Sequence, residues 1–585
     1  MVNDMASIVR TAEAEAVAPA REDAPPRKAA TSIRFLGEPC LWTLGGALGL
    51  GIIMILGFLA LVLWNGIITF IPKPVAVVTL ADGARIAGEP FREETYRPQP
   101  ELLSSLSPAW RDKVAANGGV LHRILYRTGN YDLYGEDFRW VSEETVAKVE
   151  YPKDMLFVER REWGPFVGTL VSVARDGVPL PVASIDDPAF AAAHDDVRRR
   201  TEQIREIERG EIGRINHELE KGRLKLRKIA LEKGLDSPEY RAASDAFAAR
   251  SAALEAEHER LARKAGELRR ENARITVTLA DVNGVARTFP LHQLVRAYAA
   301  NDLSFVEKVH VYVSRWWEFL SDEPREANTE GGVLPAIFGT AALTLLLVLV
   351  VTPFGVMTAL YLREYAKQGR LVSAVRICVN NLAGVPSIVY GVFGLGFFAY
   401  VLGARIDALF YAERLPNPTF GTGGLLWASL TMALLTVPVV IVATEEALAA
   451  VPRSMREGSL ACGASKWQTI RHIVLPRAMP GIMTGVILAM ARGAGEVAPL
   501  MLVGVVKLAP ELPIDGYFPF IHLERSFMHL GFHIYDVGFQ SRNSEAGKPM
   551  VFVTTMLLIS LIAVMNITAI MVRNRLKRKF AGSQF

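Results

Sequence analysis

Two ionisable residues interrupt an otherwise uncharged stretch in the C-terminal half of the chain: Arg492 and Glu496, in GVILAMARGAGEVAPLML. Their i, i+4 spacing puts both on one face of a helix, near the middle of a span. An ionised side chain at bilayer depth costs about 2.5–3.5 kcal/mol on insertion scales, so such groups pair or line an aqueous path. A guanidinium offers a planar fork of donors suited to phosphate oxygens, and a nearby carboxylate can hold it while the site is empty. The alternative is an ion pair that only locks the helix. Asn380, Asn381, Ser387 and Tyr390 in another uncharged window offer neutral donors, or hydrogen bonds between helices. Pro386 and Pro499 are placed to kink these two spans.

A second constellation follows the fourth apolar window: EEALAAVPRSMREGSLACGASKWQTIRHIVLPRAMPG. It is basic and amphipathic, and it places Glu457, Gly458, Ser459, Gly463, Ile473, Leu475 and Pro476 at fixed intervals. This spacing predicts an L-shaped pair of helices with Gly463 at the sharp turn. Small residues let the first helix seat closely in a partner's groove, and Leu475-Pro476 is expected to end the second helix at the membrane. A helix held in a groove in this way transmits rigid-body movement from a partner.

Other chemistry finds little support. No G-x-x-x-x-G-K-[ST] loop occurs, so the chain has no nucleotide cradle of that kind. GGALGLG and GVFGLGFF lie in apolar windows, where glycine serves close helix packing. His522, His529 and His533 would need a further ligand to hold a metal, and no Ser-His-Asp or Cys-His constellation stands out; no metal site is expected. Cys40, Cys378 and Cys462 are too few for a disulfide framework and are expected to behave as small hydrophobes.

The elements that must position these residues follow from composition. The chain has 585 residues, a formal net charge of +4 and 50% hydrophobic residues. Its mean hydropathy is +0.22. Six uncharged windows, near 39–72, 331–362, 377–404, 421–444, 478–506 and 550–572, reach the roughly 20 residues that cross a bilayer, the fifth apart from Arg492 and Glu496. They lack strand alternation, so an all-α polytopic core is expected. Lys and Arg cluster between windows two and three, between four and five, and after six. The positive-inside rule then puts both termini in the cytoplasm and the insert of about 75–330 outside. Cations at helix flanks do not suggest nucleic-acid binding. Residues 1–38 read as a disordered tail rather than a signal peptide, and 574–585 as a basic cytoplasmic tail.

The insert reads as an α/β domain. AVVTLADGARIAG and ITVTLADVNGVARTFPL are hairpin signals, with turns at Asp82-Gly83 and Asn283-Gly284. The shared VTLAD predicts similar strands that pair where the domain leaves and re-enters the membrane, and short strands are expected over 153–184. Residues 190–274 are highly charged. Phe247, Leu254, Leu261, Leu268 and Ile275 recur at sevens, a heptad row, and Gly234 and Pro238 break the pattern. An antiparallel coiled-coil hairpin standing out from the membrane is expected.

With these residues in view, the chain resembles the permease subunits of ABC importers, whose coupling loop reads EAA, three residues, G, nine residues, I-x-LP; EAA stands here as EGS. The windows EGGVLPAIFGTAALTLL, NNLAGVPSIVYGVFGLGFF and GVILAMARGAGEVAPLML are similar to phosphate-specific (Pst) permeases of the PstA type, over roughly 330–573. GNYDLYGEDFRWV and ERREWGPF fit a subset with an extended N-terminal module. The resemblance implies a permease core at 331–573 with its coupling loop at 445–477. It also implies a sister permease, two copies of an ATPase that uses ATP and Mg, and a periplasmic phosphate-binding protein. It raises the substrate-path reading of Arg492 and Glu496. An importer for sulfate or molybdate, and a membrane-anchored coiled-coil sensor or scaffold, are the other readings these residues allow.

Overall fold

The computed structural model describes residues 39–581 except 326–327, 510 and 542–543, so the tail expected over 1–38 lies outside the described residues. Residues up to Leu61 form one compact unit and those from Val62 another. Most of the helix Pro39–Ile68 lies in the first unit. Its Leu44, Ile53 and Met54 stand exposed, as a lipid-facing surface requires.

Among the described residues six helices are long and apolar enough to cross a bilayer: Thr43–Ile68, Leu334–Tyr365, Ser387–Phe410, Leu425–Ala449, Lys466–Gly495 and Glu545–Arg578. They are called spans one to six below. Span four is the central one, with 67% of its most apolar stretch buried. It packs on spans two and five. Small residues allow the close approach: a Cβ added at Gly355 would meet Val440 at 2.6 Å, and one at Gly485 would meet Ala443 at 2.5 Å. Inside these spans Thr344, Ser429, Thr431 and Thr436 return their hydroxyls to carbonyls one turn back, so none is left unsatisfied in an apolar layer. Span six belongs to a helix, Ser544–Ala581, that continues through the basic stretch after residue 573.

Two windows differ from expectation. The third does not form one helix. An amphipathic helix, Arg370–Leu382, stops before Gly384-Val385-Pro386, and span three starts at Ser387. Proline has no N–H and drives the preceding residue toward extended backbone, which ends the first helix. In the fifth window the long helix ends at Gly495; Glu496 is extended, with φ −85° and ψ 130°, and one helical turn re-forms at Leu500–Val503. Toward its N-terminus the same span reaches back to Lys466, well into the basic loop.

Among the described residues, the insert is built on a five-stranded and a six-stranded antiparallel sheet. The first has β1 (Ala76–Leu80), β2 (Arg85–Tyr96), β3 (Leu121–Arg127), β4 (Phe138–Ser142) and β5 (Val146–Glu150), in the order β4-β3-β2-β1-β5. The second has β6 (Leu156–Arg160), β7 (Phe166–Arg175), β9 (Ile275–Ala280), β10 (Ala286–Pro290) and β11 (Leu294–Ala299), in the order β10-β9-β7-β6-β11; the two-residue β8 (Val178–Pro179) hangs on β7. The connectivities are the same. Each sheet closes its last two strands through a single tight turn, Glu143–Thr145 or Leu291–Gln293. Each is elaborated with helices between its second and third strands: Pro100–Ser105 and Pro108–Ala116 in the first, Pro188–Arg205 through Ala273 in the second.

This duplication corrects the reading of VTLAD. β1 and β9 belong to different sheets and do not pair. β1 matches β6 in position, whereas β9 matches β3. Both hairpin turns form as read, with Gly83 at φ +86° and Gly284 at φ +81°. The sheets are joined by Asn130, which exchanges two hydrogen bonds with the Val167 backbone at 2.8 and 2.9 Å. Asn301 bridges Val75 and Pro152, tying the chain's way out of span one to the junction between the sheets.

The charged stretch folds as two antiparallel helical arms, ending at Lys233 and restarting at Pro238 with Ser237 as N-cap. Leu254 and Leu261 of the heptad row are buried against Ile207 and Ile215, with Leu268 partly covered. The arms do not stand free. His217 stacks on Tyr517 with ring centroids 4.2 Å apart, and Arg209 pairs with Glu323.

Candidate functional site

Span five presents the charged pair at the point where its helix stops. Arg492 lies in the last turn and Glu496 at the first extended residue, so the carboxylate leaves the helical face on which the i, i+4 spacing had placed it. The two still meet: Arg492 Nε is 3.7 Å from Glu496 Oε1, with side chains 33% and 30% exposed. That is a loose ion pair with open sides. Among the described residues it is the guanidinium's one ion pair, which leaves donors for another anion.

Span three faces this break. Gly391 packs on Pro499, where a Cβ would stand 2.7 Å from the proline Cα. Tyr390, buried one turn into the span, is within electrostatic reach of Arg492 and donates its hydroxyl to the Leu382 carbonyl at 2.7 Å. Ser387 is half-buried in the same first turn. Asn380 and Asn381 are exposed at the end of the separate helix Arg370–Leu382, on the far side of Pro386, and not within the span as expected. The structure thus gathers Arg492, Glu496, Tyr390 and the start of span three, and leaves the two asparagines at its edge.

The loop before span five has the expected L shape. The helix Arg453–Ala461 ends two residues before Gly463, whose φ of +82° is left-handed. Nothing lies within 4 Å of a Cβ placed there, so the demand for glycine is conformational and not steric. Ser465 and Gln468 cap each other to start the next helix. Ser459 Oγ and Thr469 Oγ1, 2.9 Å apart, join the two limbs. Glu457 and Gly458 are exposed, beside the exposed apolar side chains of Leu460 and Trp467.

Leu475 and Pro476 do not end this second helix. A wide turn over Ile470–Val474 absorbs the missing proline N–H, and the helix runs on to Gly495. Ile473, Leu475 and Pro476 are half-buried, so they join the loop rigidly to span five. Sequence reasoning missed what braces the loop. Arg456 donates to the Leu448 carbonyl at 2.7 Å and the Val451 carbonyl at 3.0 Å, and pairs with Glu364 at the end of span two at 3.1 Å. In the sequence Arg456 was one of five loop cations, with nothing to set it apart. Arg376 pairs with Glu445 in the same way, at 3.2 Å.

The three histidines do not converge. His522 bonds Asp515 and Glu524, while His529 accepts from the Gly531 N–H. Among the described residues no three His, Cys, Asp or Glu side chains are grouped to hold a metal.

Residues 351–578 match the family of binding-protein-dependent transport system inner membrane components. The chain is 36% identical over 204 residues to a probable ABC transporter permease protein, YqgH, of Bacillus subtilis, covering 34% of this chain and 62% of that one. It is 39% identical over 192 residues to the phosphate transport system permease protein PstA 1 of Mycobacterium tuberculosis, covering 33% and 57%. With the PstA of Yersinia pestis it shares 36% identity over 184 residues, 31% and 56% of the two chains. The chain thus spans little more than half the length of these curated relatives. A distant likeness in shape, with a TM-score of 0.32 and 18% identity, covers 42% of this chain and 95% of a chain of the inward-facing MetNI methionine ABC transporter. The match to that family begins within span two and runs to the end of span six.

Proposed function

We propose that the chain is the permease subunit of an ATP-binding-cassette importer that moves inorganic phosphate inward by alternating access. The observation that carries this reading is the loose Arg492–Glu496 pair at an intramembrane helix break, in a domain whose relatives include phosphate transport permeases. The arginine lowers the barrier for a phosphate leaving water, and Glu496 stands in for substrate between cycles. Tyr390 and Ser387 line the approach, with Asn380 and Asn381 at its rim.

Glu457, Gly458 and Ser459, with Gly463 at the corner, form the surface that seats in an ATPase, and Leu460 and Trp467 add its apolar contacts. Ile473, Leu475 and Pro476 pass the movement to span five. The chain itself is not an enzyme: ATP and Mg belong to the ATPase dimer. The exposed apolar face of span three, with Ile388, Val392 and Phe393, fits a second permease subunit. A periplasmic phosphate-binding protein would deliver substrate on the side of the 75–330 insert, with both termini cytoplasmic. The helical arms of about 190–274 form a short coiled coil there.

The test is ATP-driven uptake of radiolabelled phosphate by the reconstituted complex, in competition with sulfate and arsenate. Arsenate is expected to compete and sulfate to leave uptake unchanged. Uptake of sulfate that phosphate does not displace would replace phosphate with another oxyanion.

A further inference from the structure

A cavity of about 530 Å³ lies where span one and span six meet the insert. Ile68 of span one and Met550 and Phe552 of span six form its apolar wall, at the level where both helices leave the membrane. The opposite wall, from the two sheets and the helix Phe305–Ser321, is crowded with charge.

Nearly all of that charge is matched within the protein. Arg92 pairs with Glu545 at 3.1 Å, Arg127 with Glu330 at 2.6 Å, Arg315 with Glu159 at 2.6 Å and Lys548 with Glu545 at 2.6 Å. Arg325 pairs with Glu318. Two charges are left over. Glu89 is 7% exposed, lines the cavity, and among the described residues has no ion pair and no side-chain hydrogen bond. Lys73 lies over the Phe91 ring at 5.4 Å, and among the described residues it donates only to the Pro90 carbonyl at 3.3 Å and has no ion pair. Glu89 feels the charges of Arg315, Arg127 and Lys73, and Lys73 those of Glu89 and Arg127, without an ion pair to any of them. Burial pushes the Glu89 carboxyl up and the Lys73 ammonium down from their ordinary values, as for charges lacking solvent and partner.

A buried polar group without a partner is costly, and one of each sign facing a half-open cavity calls for a ligand that carries both. A simple anion would satisfy Lys73 but face Glu89. A simple cation would do the reverse. We infer that this cavity binds the zwitterionic headgroup of phosphatidylethanolamine, its ammonium on Glu89 and its phosphate on Lys73. The glycerol and first methylenes then lie along Ile68, Met550 and Phe552, continuous with the bilayer. A lipid held there would pin the insert to spans one and six without entering the path at Arg492.

The test uses the full chain purified in mild detergent and exposed to equal amounts of phosphatidylethanolamine and phosphatidylglycerol with the same acyl chains, read by native mass spectrometry. The wild type is expected to retain phosphatidylethanolamine about tenfold over phosphatidylglycerol. Glu89→Gln and Lys73→Met should each cut that retention about tenfold, the effect of removing one charge-assisted contact. The Lys73→Met result stands alone if Glu89→Gln does not fold. Equal retention of the two lipids, or retention unchanged in Lys73→Met, overturns the inference. Millimolar inorganic phosphate should leave the lipid in place; displacement would make the cavity a free-phosphate site and overturn the lipid assignment.

Discussion

Arg492 and Glu496 meet at 3.7 Å across the end of a helix, one side chain in its last turn and the other on the first extended residue. The carboxylate therefore sits off the helix that carries the arginine. In the proposed path, Glu496 would screen the positive charge while the path is empty, and an arriving anion would take over the guanidinium without the helix having to unwind. Had both residues stayed on one continuous face, the pair would be a fixed brace.

The first prediction concerns this pair. Arg492→Gln should lower phosphate uptake about a hundredfold, the effect of losing a charge-assisted contact of about 3 kcal/mol, at normal membrane levels of the protein. Arg492→Lys should restore little, because an ammonium lacks the bidentate fork. Glu496→Gln should be milder and alter release more than binding. Near wild-type uptake by Arg492→Gln would leave the pair as a structural lock.

Gly463 carries the second prediction. Its φ of +82° strains any L side chain, by about 1–3 kcal/mol, and most of all a β-branched one. Gly463→Ile should open the corner of the L, so that the ATPase co-purifies poorly or hydrolyses ATP without transport. Gly463→Ala, with open space around its Cβ, should fall between the two. Coupled transport by Gly463→Ile at the wild-type rate would refute the role of the corner.

How much of this was legible in the sequence depended on the range of the signal. Hydropathy found the six spans because each is a local property, and the spacing around Gly463 found the L because a left-handed turn needs glycine. The helix break at Gly495 was signalled only as a kink, by Pro499, since apolar residues continue past it. The break before Ser387 was signalled by Pro386, but a kink and a full stop look alike in sequence. The paired sheets were hidden because strand order is non-local. VTLAD drew β1 and β9 together by composition, whereas their true counterparts, β6 and β3, share position and not residues. For the same reason Arg456 looked like any loop cation until Glu364, 92 residues earlier, was seen beside it.

Arg456 accordingly gives a third prediction. It joins span two, the end of span four and the loop through one guanidinium, with 19% and 13% of the Arg456 and Glu364 side chains exposed. Arg456→Met keeps the stem and removes the fork. It should lower ATP-coupled uptake while leaving the Gly463 corner intact. The double variant with Glu364→Gln should cost little more than Arg456→Met alone, because the two act through one contact. Additive losses would show that they serve separate functions.

The helical arms give a fourth. The base of the first arm, Phe190, Ala193 and Val197, is part of the second sheet's core, whereas the row from Ile207 to Leu268 packs mainly on itself. Replacing residues 206–267 with a short glycine-rich linker should therefore leave the insert folded, since Asn272 still reaches Arg200 at 2.9 Å. Phosphate uptake should remain measurable, because no residue of the path is touched. Complete loss of uptake at normal membrane levels would mean that the stacking of His217 on Tyr517 is needed for transport.

The charged wall between the sheets and the membrane gives the last prediction, in pH. Burial pushes the Glu89 carboxyl above the usual carboxylate range, against the pull of Arg315, and does the same to Glu318 against Arg325. Burial opposes ionisation of Glu159 too, but Arg315 and Arg296 hold its carboxyl below that range. The signs therefore differ. A raised folded value means stability that is complete below the unfolded value, about 4.3 for glutamate, and is lost as pH rises through the folded one. A depressed value means stability present above about 4.3 and lost only as pH falls through the folded value. In detergent free of phosphatidylethanolamine, the thermal midpoint of the full chain should rise as pH is lowered from neutral toward 5, because the raised Glu89 and Glu318 carboxyls favour the protonated folded state while the depressed Glu159 stays ionised. Below about pH 4 it should turn down as Glu159 protonates and leaves Arg315 and Arg296 unpaired. Glu89→Gln should flatten the rise between neutral and pH 5 without moving the acid limb, while Glu159→Gln should lower stability at neutral pH and weaken the downturn. A midpoint that falls steadily from neutral to pH 5 would show that Glu89 is ionised and balanced in the folded protein, contrary to the isolation its surroundings show.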